Sequence, residues 1–146
     1  MEMIEKKHRI EDALEAVRAA QEEGVVSGGG CALARAASKM IITTVGEGGD
    51  FHPDQVSGIN IVMKACQEPL RQMSLNSGES PDLILDEVLR AKSPNGWDFR
   101  RGEMVNLIDK GIIDPVKVTR IALQNAASCA GTLLTTNFGI IQREEG

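Results

Sequence analysis

Residues 11–30 have the sequence EDALEAVRAAQEEGVVSGGG, and the rest of the chain is organised around this stretch. Its charged first part predicts a helix that ends at Gly24, because glycine adopts the left-handed conformation of a helix end without a Cβ clash. Val25 and Val26 predict a short extended step into Ser27 and three glycines, after which a second helix begins. An acid on a helix and exposed glycine backbone are components of a phosphate-binding site, but alone they do not establish one.

The predicted first helix, residues 4–23, has one apolar stripe and one charged face. Four apolar residues repeat at the i, i+3, i+4, i+7 spacing of a packed helix face: Ile10, Ala13, Leu14 and Val17. Asp12 lies roughly 150° around the helix from the middle of that stripe, at about 100° per residue. On composition alone Asp12 is therefore interpreted as a solvated helix acid.

The composition excludes several classes of protein. A chain of 146 residues fits one domain and is long enough to bury a core, and its 42% hydrophobic and 25% charged residues are ordinary globular values. With three Phe, one Trp and no Tyr, the core must be aliphatic, which favours close-packed helices. The net charge of −5 argues against a surface for nucleic acid or anionic membrane, since both need clustered Lys and Arg.

The cysteines, the histidines and the absence of a targeting signal indicate a soluble intracellular protein. Cys31, Cys66 and Cys129 are odd in number and far apart, which predicts reduced, mostly buried thiols. His8 and His52 have no second metal ligand beside them, so both are expected at the surface. No apolar run approaches the length that spans a bilayer, and the first residues contain no signal-peptide core.

Beyond the glycines the pattern predicts a helical array with a small β element. Helices are expected at Cys31–Ile41, after an N-cap at Asp54, around Leu70–Leu75, from Pro81 with Ser80 as its cap, at Glu103–Lys110 and at Val116–Leu134. The last of these is apolar on most sides and is expected to be central. A loop is expected at Thr43–Pro53, and strands at Trp97–Phe99 and Thr135–Gln142.

The local motifs leave alternatives open. The Ser27–Gly30 stretch is not a Walker A loop, because no Gly-Lys-Ser/Thr follows it. Three glycines before a helix let a phosphate approach the helix-terminal N–H groups, but they equally permit close packing or a sharp turn. Asp114, before Pro115, is expected to be an N-cap, although a capping carboxylate can keep a lone pair for a ligand. The residues alone thus indicate a helical domain with an anion-tolerant loop.

Three longer stretches together resemble the C-terminal part of group I chaperonins, the GroEL family. They are KKHRIEDALEAVRAAQEEGVVSGGGCALARA, ACQEPLRQMSLNSG and MVNLIDKGIIDPVKVTRIALQNAASCAGTLLTT. They occur in the order that the family has and extend along nearly the whole chain. The EEGVV-x-GGG run and the GIIDP-x-KVTR run are long and specific.

The resemblance implies a mainly α-helical fold with a small β element and a C-terminal strand. Residues 1–24 would form the long descending helix of the intermediate domain. Residues 25–146 would form the C-terminal part of the equatorial domain, which binds ATP and builds the ring. The strand around Phe138–Ile141 would join a sheet shared with a neighbouring subunit, as suits an edge strand without a partner in its own chain.

The resemblance also implies roles for three residues at the nucleotide. Asp12 corresponds to the family's catalytic aspartate, which moves over bound ATP and helps activate the attacking water. Gly29 corresponds to a glycine whose backbone lies against the nucleotide. Asp114 corresponds to an acidic residue that accepts hydrogen bonds from ribose hydroxyls.

Asp98, Phe99 and Arg100 lie where the family presents a short segment to the adenine. Phe99 and Arg100 are bulkier than the family's usual residues, which implies contact through the backbone and leaves the adenine fit open. The implied cofactors are ATP and Mg²⁺. The phosphate loop and the Mg²⁺-binding aspartate belong to an N-terminal part of the family that this sequence does not contain, so no metal ligand is expected here and the chain alone is expected to hydrolyse no ATP.

The partners implied are other chaperonin subunits in a ring, with unfolded proteins and a co-chaperonin bound through an apical domain outside this sequence. Neither nucleic acid nor membrane is expected as a partner, and the expected location is the cytoplasm or an organelle matrix. Ser80 stands where many bacterial members have a glutamate, which removes one expected ion pair between rings. The alternative is a non-catalytic helical interaction module, or a truncated fragment, that assembles with an N-terminal partner.

Overall fold

The computed structural model describes residues 2–46 and 51–141, with the backbone alone for residues 41–46. The described chain is mainly α-helical, as predicted. Its helices are α1 (Glu2–Glu23), α2 (Cys31–Gly46), α3 (Pro53–Ala65), α4 (Glu68–Asn76), α5 (Pro81–Arg90) and α6 (Val116–Leu134). Its strands are β1 (Val25–Ser27), β2 (Asn95–Asp98), β3 (Glu103–Asn106) and β4 (Ile113–Pro115).

The strands form two separate antiparallel pairs. β1 pairs with β4, which places Val26 opposite Asp114. β2 pairs with β3, which places Trp97 opposite Met104. The first pair joins the end of α1 to the beginning of α6, and the second follows α5. The β1–β4 pair therefore brings residues 113–115 beside β1, which leads into the turn at Gly28–Gly30, called the glycine turn below.

The main core lies between α2, α4, α5 and the β2–β3 hairpin. Its buried members are Cys31, Ala34, Leu70, Ile84, Leu85, Val88 and Leu107. A smaller cluster joins α2 to α3 and contains Ala37, Met63 and Cys66. Burial of each large aliphatic side chain contributes about 1.5–3 kcal/mol. The core is aliphatic and sulfur-containing, as the scarcity of aromatic residues predicted.

Helices α1 and α6 lie side by side outside this core, and neither has a buried residue. On α1, Ile10 is 61% exposed, Leu14 55% and Val17 56%. On α6, Val118 is 52% exposed. The prediction that the last helix is central is therefore wrong for this chain: α1 lies beside it, but none of its residues is buried.

Ion pairs connect the C-terminal end of α1 to the first turns of α6. The Arg120 guanidinium donates to both carboxylate oxygens of Glu23, at 3.0 and 2.5 Å, and Lys117 pairs with Glu22. The hydrogen bond from Arg120 lowers the pKa of Glu23 below its usual value. These pairs are exposed, so they orient the two helices more than they stabilise them.

Two predicted boundaries differ from the structure. Glu103–Asn106 is strand β3 and not the beginning of a helix, because β2 lies four residues upstream and pairs with it. Helix α2 continues through Thr43 to Gly46, where a loop was expected. Residues 47–50 of that predicted loop lie outside the described residues.

The N-cap of α3 is His52 and not Asp54. The Asp54 backbone N–H donates to His52 Nδ1 at 3.3 Å, and the His52 backbone N–H donates to Gln55 Oε1 at 3.0 Å. Pro53 occupies the first helical position, where its missing N–H is not needed, and this places the cap one residue earlier. Ser80 precedes α5 at the cap position, as predicted, but its side chain makes no capping hydrogen bond.

The cysteines and histidines mostly lie as predicted. All three cysteines are free thiols; Cys31 and Cys66 are buried, whereas Cys129 is exposed. The side chains of His8 and His52 are 67% and 71% exposed. No described helix is both long enough and apolar enough to cross a membrane.

Residues 136–141, after α6, form neither helix nor strand in the single chain. Phe138 is 92% exposed and Ile141 90%. A strand needs hydrogen bonds from a neighbour, and none of the described strands lies beside this segment. The predicted strand is therefore not formed within the chain, and its pairing with another subunit stays a prediction; Gln142 lies outside the described residues.

Candidate functional site

The glycine turn between β1 and α2 is the centre of the candidate site. The Gly28 backbone N–H donates to the Ile112 carbonyl at 3.0 Å, and the Val116 backbone N–H donates to the Gly24 carbonyl at 3.1 Å. These two bonds extend the β1–β4 pair at both ends. They hold Asp114, in the middle of β4, close to the beginning of the turn.

The three glycines have different physical roles. A Cβ on Gly28 would lie 3.1 Å from the carbonyl carbon and oxygen of Ile112, and a Cβ on Gly30 would lie 2.8 Å from the Leu70 backbone nitrogen. Gly29 has a φ of +67°, and a Cβ there would lie 3.8 Å from the Trp97 carbonyl oxygen, an ordinary contact. Gly28 and Gly30 thus allow neighbouring backbone to pack closely against the turn, whereas a side chain at Gly29 would meet no close neighbour.

Asp114 has a half-buried carboxylate that forms no hydrogen bond or ion pair with any described residue. It was predicted to cap α6, but it lies in β4, and Pro115 occupies the cap position. The register with Val26 explains the difference, because strand pairing fixes the Asp114 backbone before the helix begins. Burial raises the pKa of Asp114 above its ordinary value. A partly desolvated acid without a partner is a common feature of ligand-binding sites.

We expect Asp114→Asn to raise the melting temperature at pH 7 by a few degrees, the response of such a domain to about 1 kcal/mol. The raised pKa means that the folded chain binds the Asp114 proton more tightly than the unfolded chain. This contribution to stability is present below the unfolded value near 3.8 and is lost as pH rises through the folded value. Scanning calorimetry should therefore show a gain at pH 7 that disappears on acidification.

The exposed Asp109 provides the control for this substitution, since its side chain is solvated. Asp109→Asn should leave the melting temperature unchanged at both pH values. A loss of stability in the D114N variant at pH 7 would show that the carboxylate has a stabilising partner and would contradict the assignment of Asp114 as an unsatisfied group.

Asp98 is buried and engaged by its own turn. Its Oδ1 accepts hydrogen bonds from the backbone N–H groups of Arg100 at 2.9 Å and Arg101 at 3.3 Å. This arrangement shapes the turn between β2 and β3 and engages one of the two carboxylate oxygens; the other, Oδ2, lies 3.9 Å from Arg101 Nε. The half-buried Phe99 ring approaches Gly29, with Cε2 3.9 Å from the position of a Gly29 Cβ, and Arg100 is exposed.

Asp12 lies in a groove of about 610 Å³ between α1 and α6. The groove has an apolar floor formed by Ala16, Ala19, Val118, Ile121 and Ala122. Three acids line it, and two of them are paired: Glu15 with Arg18 at 2.6 Å, and Glu22 with Lys117. Asp12 is the acid in this groove that has no ion pair or hydrogen bond with a described residue.

The structure therefore brings some of the predicted residues together and not others. Gly29 lies against Trp97 and Phe99, and the Asp114 carboxylate is close enough to Cys31 to act on its thiol electrostatically. Asp12 is twelve residues before Gly24, which places it about 18 Å along α1 at about 1.5 Å per residue. In the described part of the chain, the groove that Asp12 lines includes neither Gly29 nor Asp98 nor Asp114.

The sequence profile of the TCP-1/cpn60 chaperonins matches residues 1–144 of this chain. The chain belongs to the TCP-1/cpn60 chaperonin family. The resemblance of its three long motifs to chaperonins is thereby confirmed at the level of the family.

A solved chaperonin has the same fold over most of the chain. The crystal structure of a group III chaperonin in the open state superposes with a TM-score of 0.71 and 27% sequence identity. The match covers 84% of this chain and 25% of the group III chain. The described residues therefore correspond to about a quarter of that chaperonin's length.

Two residues of this chaperonin segment were not predicted from the sequence as site residues, although Cys31 was expected to be a buried thiol. Cys31 is buried behind the glycine turn, where burial raises the pKa of its thiol. Trp97 has a buried indole N–H without a hydrogen-bond partner. The burial of Cys31 and of the Trp97 N–H results from contacts between segments that are distant in sequence. The one signal in the sequence was that Trp97 is the sole tryptophan. The described residues contain no group of three His, Cys, Asp or Glu positioned to hold a metal ion.

Proposed function

We propose that this chain acts within an ATP-dependent chaperonin that assists protein folding, where it forms one wall of the ATP pocket. The observation that carries the proposal is the unsatisfied, half-buried carboxylate of Asp114 beside the glycine turn, in a chain of the chaperonin family. A carboxylate that is partly removed from water and has no partner is destabilised, and a ligand that donates hydrogen bonds to it offsets that cost.

The residues around Asp114 suit the nucleoside part of ATP. The Asp114 carboxylate accepts hydrogen bonds from sugar hydroxyls, and Gly29 offers backbone where even a Cβ would make only ordinary contacts with Trp97 and Phe99. The backbone of Phe99 and Arg100 forms the adenine end of this wall, and Asp98 holds their turn in shape.

Asp12 is proposed to act in hydrolysis, by accepting a proton or hydrogen bond from the attacking water. Its carboxylate is exposed and unpaired, so it is available to a ligand. The ion pairs of Glu22 and Glu23 hold the far end of α1, and a movement of the helix about that end would carry Asp12 toward the nucleotide. Bound Mg²⁺ supplies charge neutralisation of the phosphates, and its ligands are proposed to lie outside residues 1–146.

The branch, the partners and the location belong to the same proposal. We propose group I on the sequence motifs; the structural relative, at 27% identity, is a group III chaperonin. We propose ring contacts with other subunits, including pairing of the exposed segment 136–141. Protein substrates and a co-chaperonin would bind through an apical domain outside this chain, in the cytoplasm or an organelle matrix.

The isolated chain and a chimeric chaperonin that contains it together test the proposal. We expect the purified chain to release no phosphate from Mg-ATP. A chimera in which residues 2–141 replace the corresponding quarter of the group III chaperonin should form rings, hydrolyse ATP and refold a denatured test protein. A chimera that forms rings but neither binds nor hydrolyses ATP would contradict the proposal. So would Mg-dependent turnover by the isolated chain that is lost in Asp12→Ala.

A second candidate is a non-catalytic interaction module, and the exposed apolar side chains favour it. Leu133 is 70% exposed, Leu134 88% and Phe138 92%. Large exposed apolar patches mark association surfaces. Native mass spectrometry of the chain, with and without the N-terminal part of a chaperonin, separates the candidates: a stable complex without ATP binding supports the module, and a ligand-free monomer contradicts both.

A further inference from the structure

Arg35, on α2, lies at the junction of two cavities that none of the candidate nucleotide residues lines. One cavity, of about 350 Å³, lies between α2 and the loop that follows α5. The other, of about 420 Å³, lies between α2 and β1. Arg35, Lys39 and Ser93 line both cavities, so the two are parts of one binding region, which we call the Arg35 cavity.

The Arg35 cavity carries cations and hydroxyl groups. Lys92 and Ser38 line its first part, and Ser27 lines its second. None of the described residues that line it is an aspartate or glutamate, although the whole chain has a net charge of −5. Neither Arg35 nor Lys92 forms an ion pair with a described residue. The charges of Arg35 and Lys92 are therefore not neutralised by an ion pair within the described chain.

The Arg35 guanidinium is only partly satisfied. Its Nη2 donates to the carbonyl oxygens of Val88 at 2.9 Å and Ala91 at 3.4 Å, and also to that of Asn95. Its Nε and Nη1 are buried and have no hydrogen-bond partner. Buried donors in native proteins are nearly always paired, so two unpaired donors on one cation indicate a missing acceptor. No described carboxylate supplies it.

We propose that the Arg35 cavity binds a small phosphate-bearing anion. A phosphate group has several acceptor oxygens, so it can accept hydrogen bonds from the Arg35 guanidinium, the Lys92 ammonium and the hydroxyls of Ser38 and Ser93 together. A carboxylate has only two oxygens. Because Nε and Nη1 are closed to solvent, binding requires the guanidinium to turn toward the cavity. This rotation gives up the Nη2 contacts with the loop before β2, so occupancy of the cavity also changes the contacts of that loop.

Phosphate titration of the chain, followed by isothermal calorimetry and by the melting temperature, tests this site. We expect saturable binding of inorganic phosphate, and no comparable effect of acetate at the same ionic strength. Lys92→Gln should weaken phosphate binding about tenfold, the usual effect of losing one charge-assisted hydrogen bond. Arg35→Lys, which keeps the charge but removes the fork, should weaken it as well.

Lys110→Gln is the matched control, because Lys110 is exposed and lines no cavity described above. It should bind phosphate as the unaltered chain does. Equal loss in the K92Q and K110Q variants, equal responses to acetate and phosphate, or no saturable binding would each overturn the proposal. Circular dichroism of every variant confirms that the comparison is between folded chains.

Discussion

Gly30→Ala is expected to destabilise the chain by about 3 kcal/mol. A Cβ there would lie 2.8 Å from the backbone nitrogen of Leu70 and 3.0 Å from its Cα, and neither backbone atom can turn aside. Overpacking of this kind costs about 1–3 kcal/mol. Gly30 also has a φ of +72°, and a side chain in the left-handed region adds about 1–2 kcal/mol. Urea denaturation at 25 °C measures the change.

Gly24→Ala provides the matched control, because Gly24 also has a positive φ but lacks the close neighbours that Gly30 has. Gly24 has a φ of +82°, and nothing lies within 4 Å of the position of a Cβ. The loss there should be only about 1 kcal/mol, from the left-handed conformation alone. Equal losses at the two positions would show that contact with α4 does not constrain the turn. The description of Gly30 as a packing residue would then be wrong.

The second large effect is expected from Asp12→Asn in the ring-forming chimera. If Asp12 assists the attacking water, its removal should lower the ATP turnover number by about 100-fold or more. Nucleotide affinity should stay within about threefold, since the proposed contact is made in the transition state. Phosphate release at saturating Mg-ATP gives the turnover number, and binding of a non-hydrolysable analogue gives the affinity. Asparagine keeps the size of the side chain and removes the charge.

Glu15→Gln is the control for Asp12, since both acids line the same groove. Glu15 already pairs with Arg18 at 2.6 Å, so its loss should change turnover by no more than about twofold. Native mass spectrometry should show intact rings for both variants. Unchanged turnover in the D12N ring, or equal losses in the two variants, would remove Asp12 from the proposed hydrolytic role.

The elements that sequence patterns predicted well are those with local signals. Gly24 ends α1 and Pro81 begins α5 as expected, because chain conformation at glycine and proline depends on the residue itself. The prediction failed at Glu103–Asn106, where a short amphipathic segment fits a helix and a strand equally well. The pairing of β3 with β2 decided between them, and pairing is a property of two segments.

The candidate site was predictable only in part. The family resemblance selected Gly29 and Asp114; the structure places Gly29 in the turn after β1 and Asp114 on β4, the strand paired with β1, and their roles in binding are proposals. The same resemblance could not show that Asp98 is occupied by its own turn, or that Asp12 lies about 18 Å from the end of α1. The unpaired donors of Arg35 gave no sequence signal, because they result from the way α2 meets the loop after α5.

The sequence by itself determined the chaperonin family and the positions of most helices. Long ordered motifs identify the family, and helix periodicity with Gly and Pro at the ends depends on neighbours a few residues away. Only the tertiary structure decided which glycine packs and which has room, and that Asp114 has no partner. It also decided that α1 and α6 are exposed on their apolar sides. The reason is physical: burial, pairing and desolvation depend on what lies opposite a residue in space, and local sequence does not specify that.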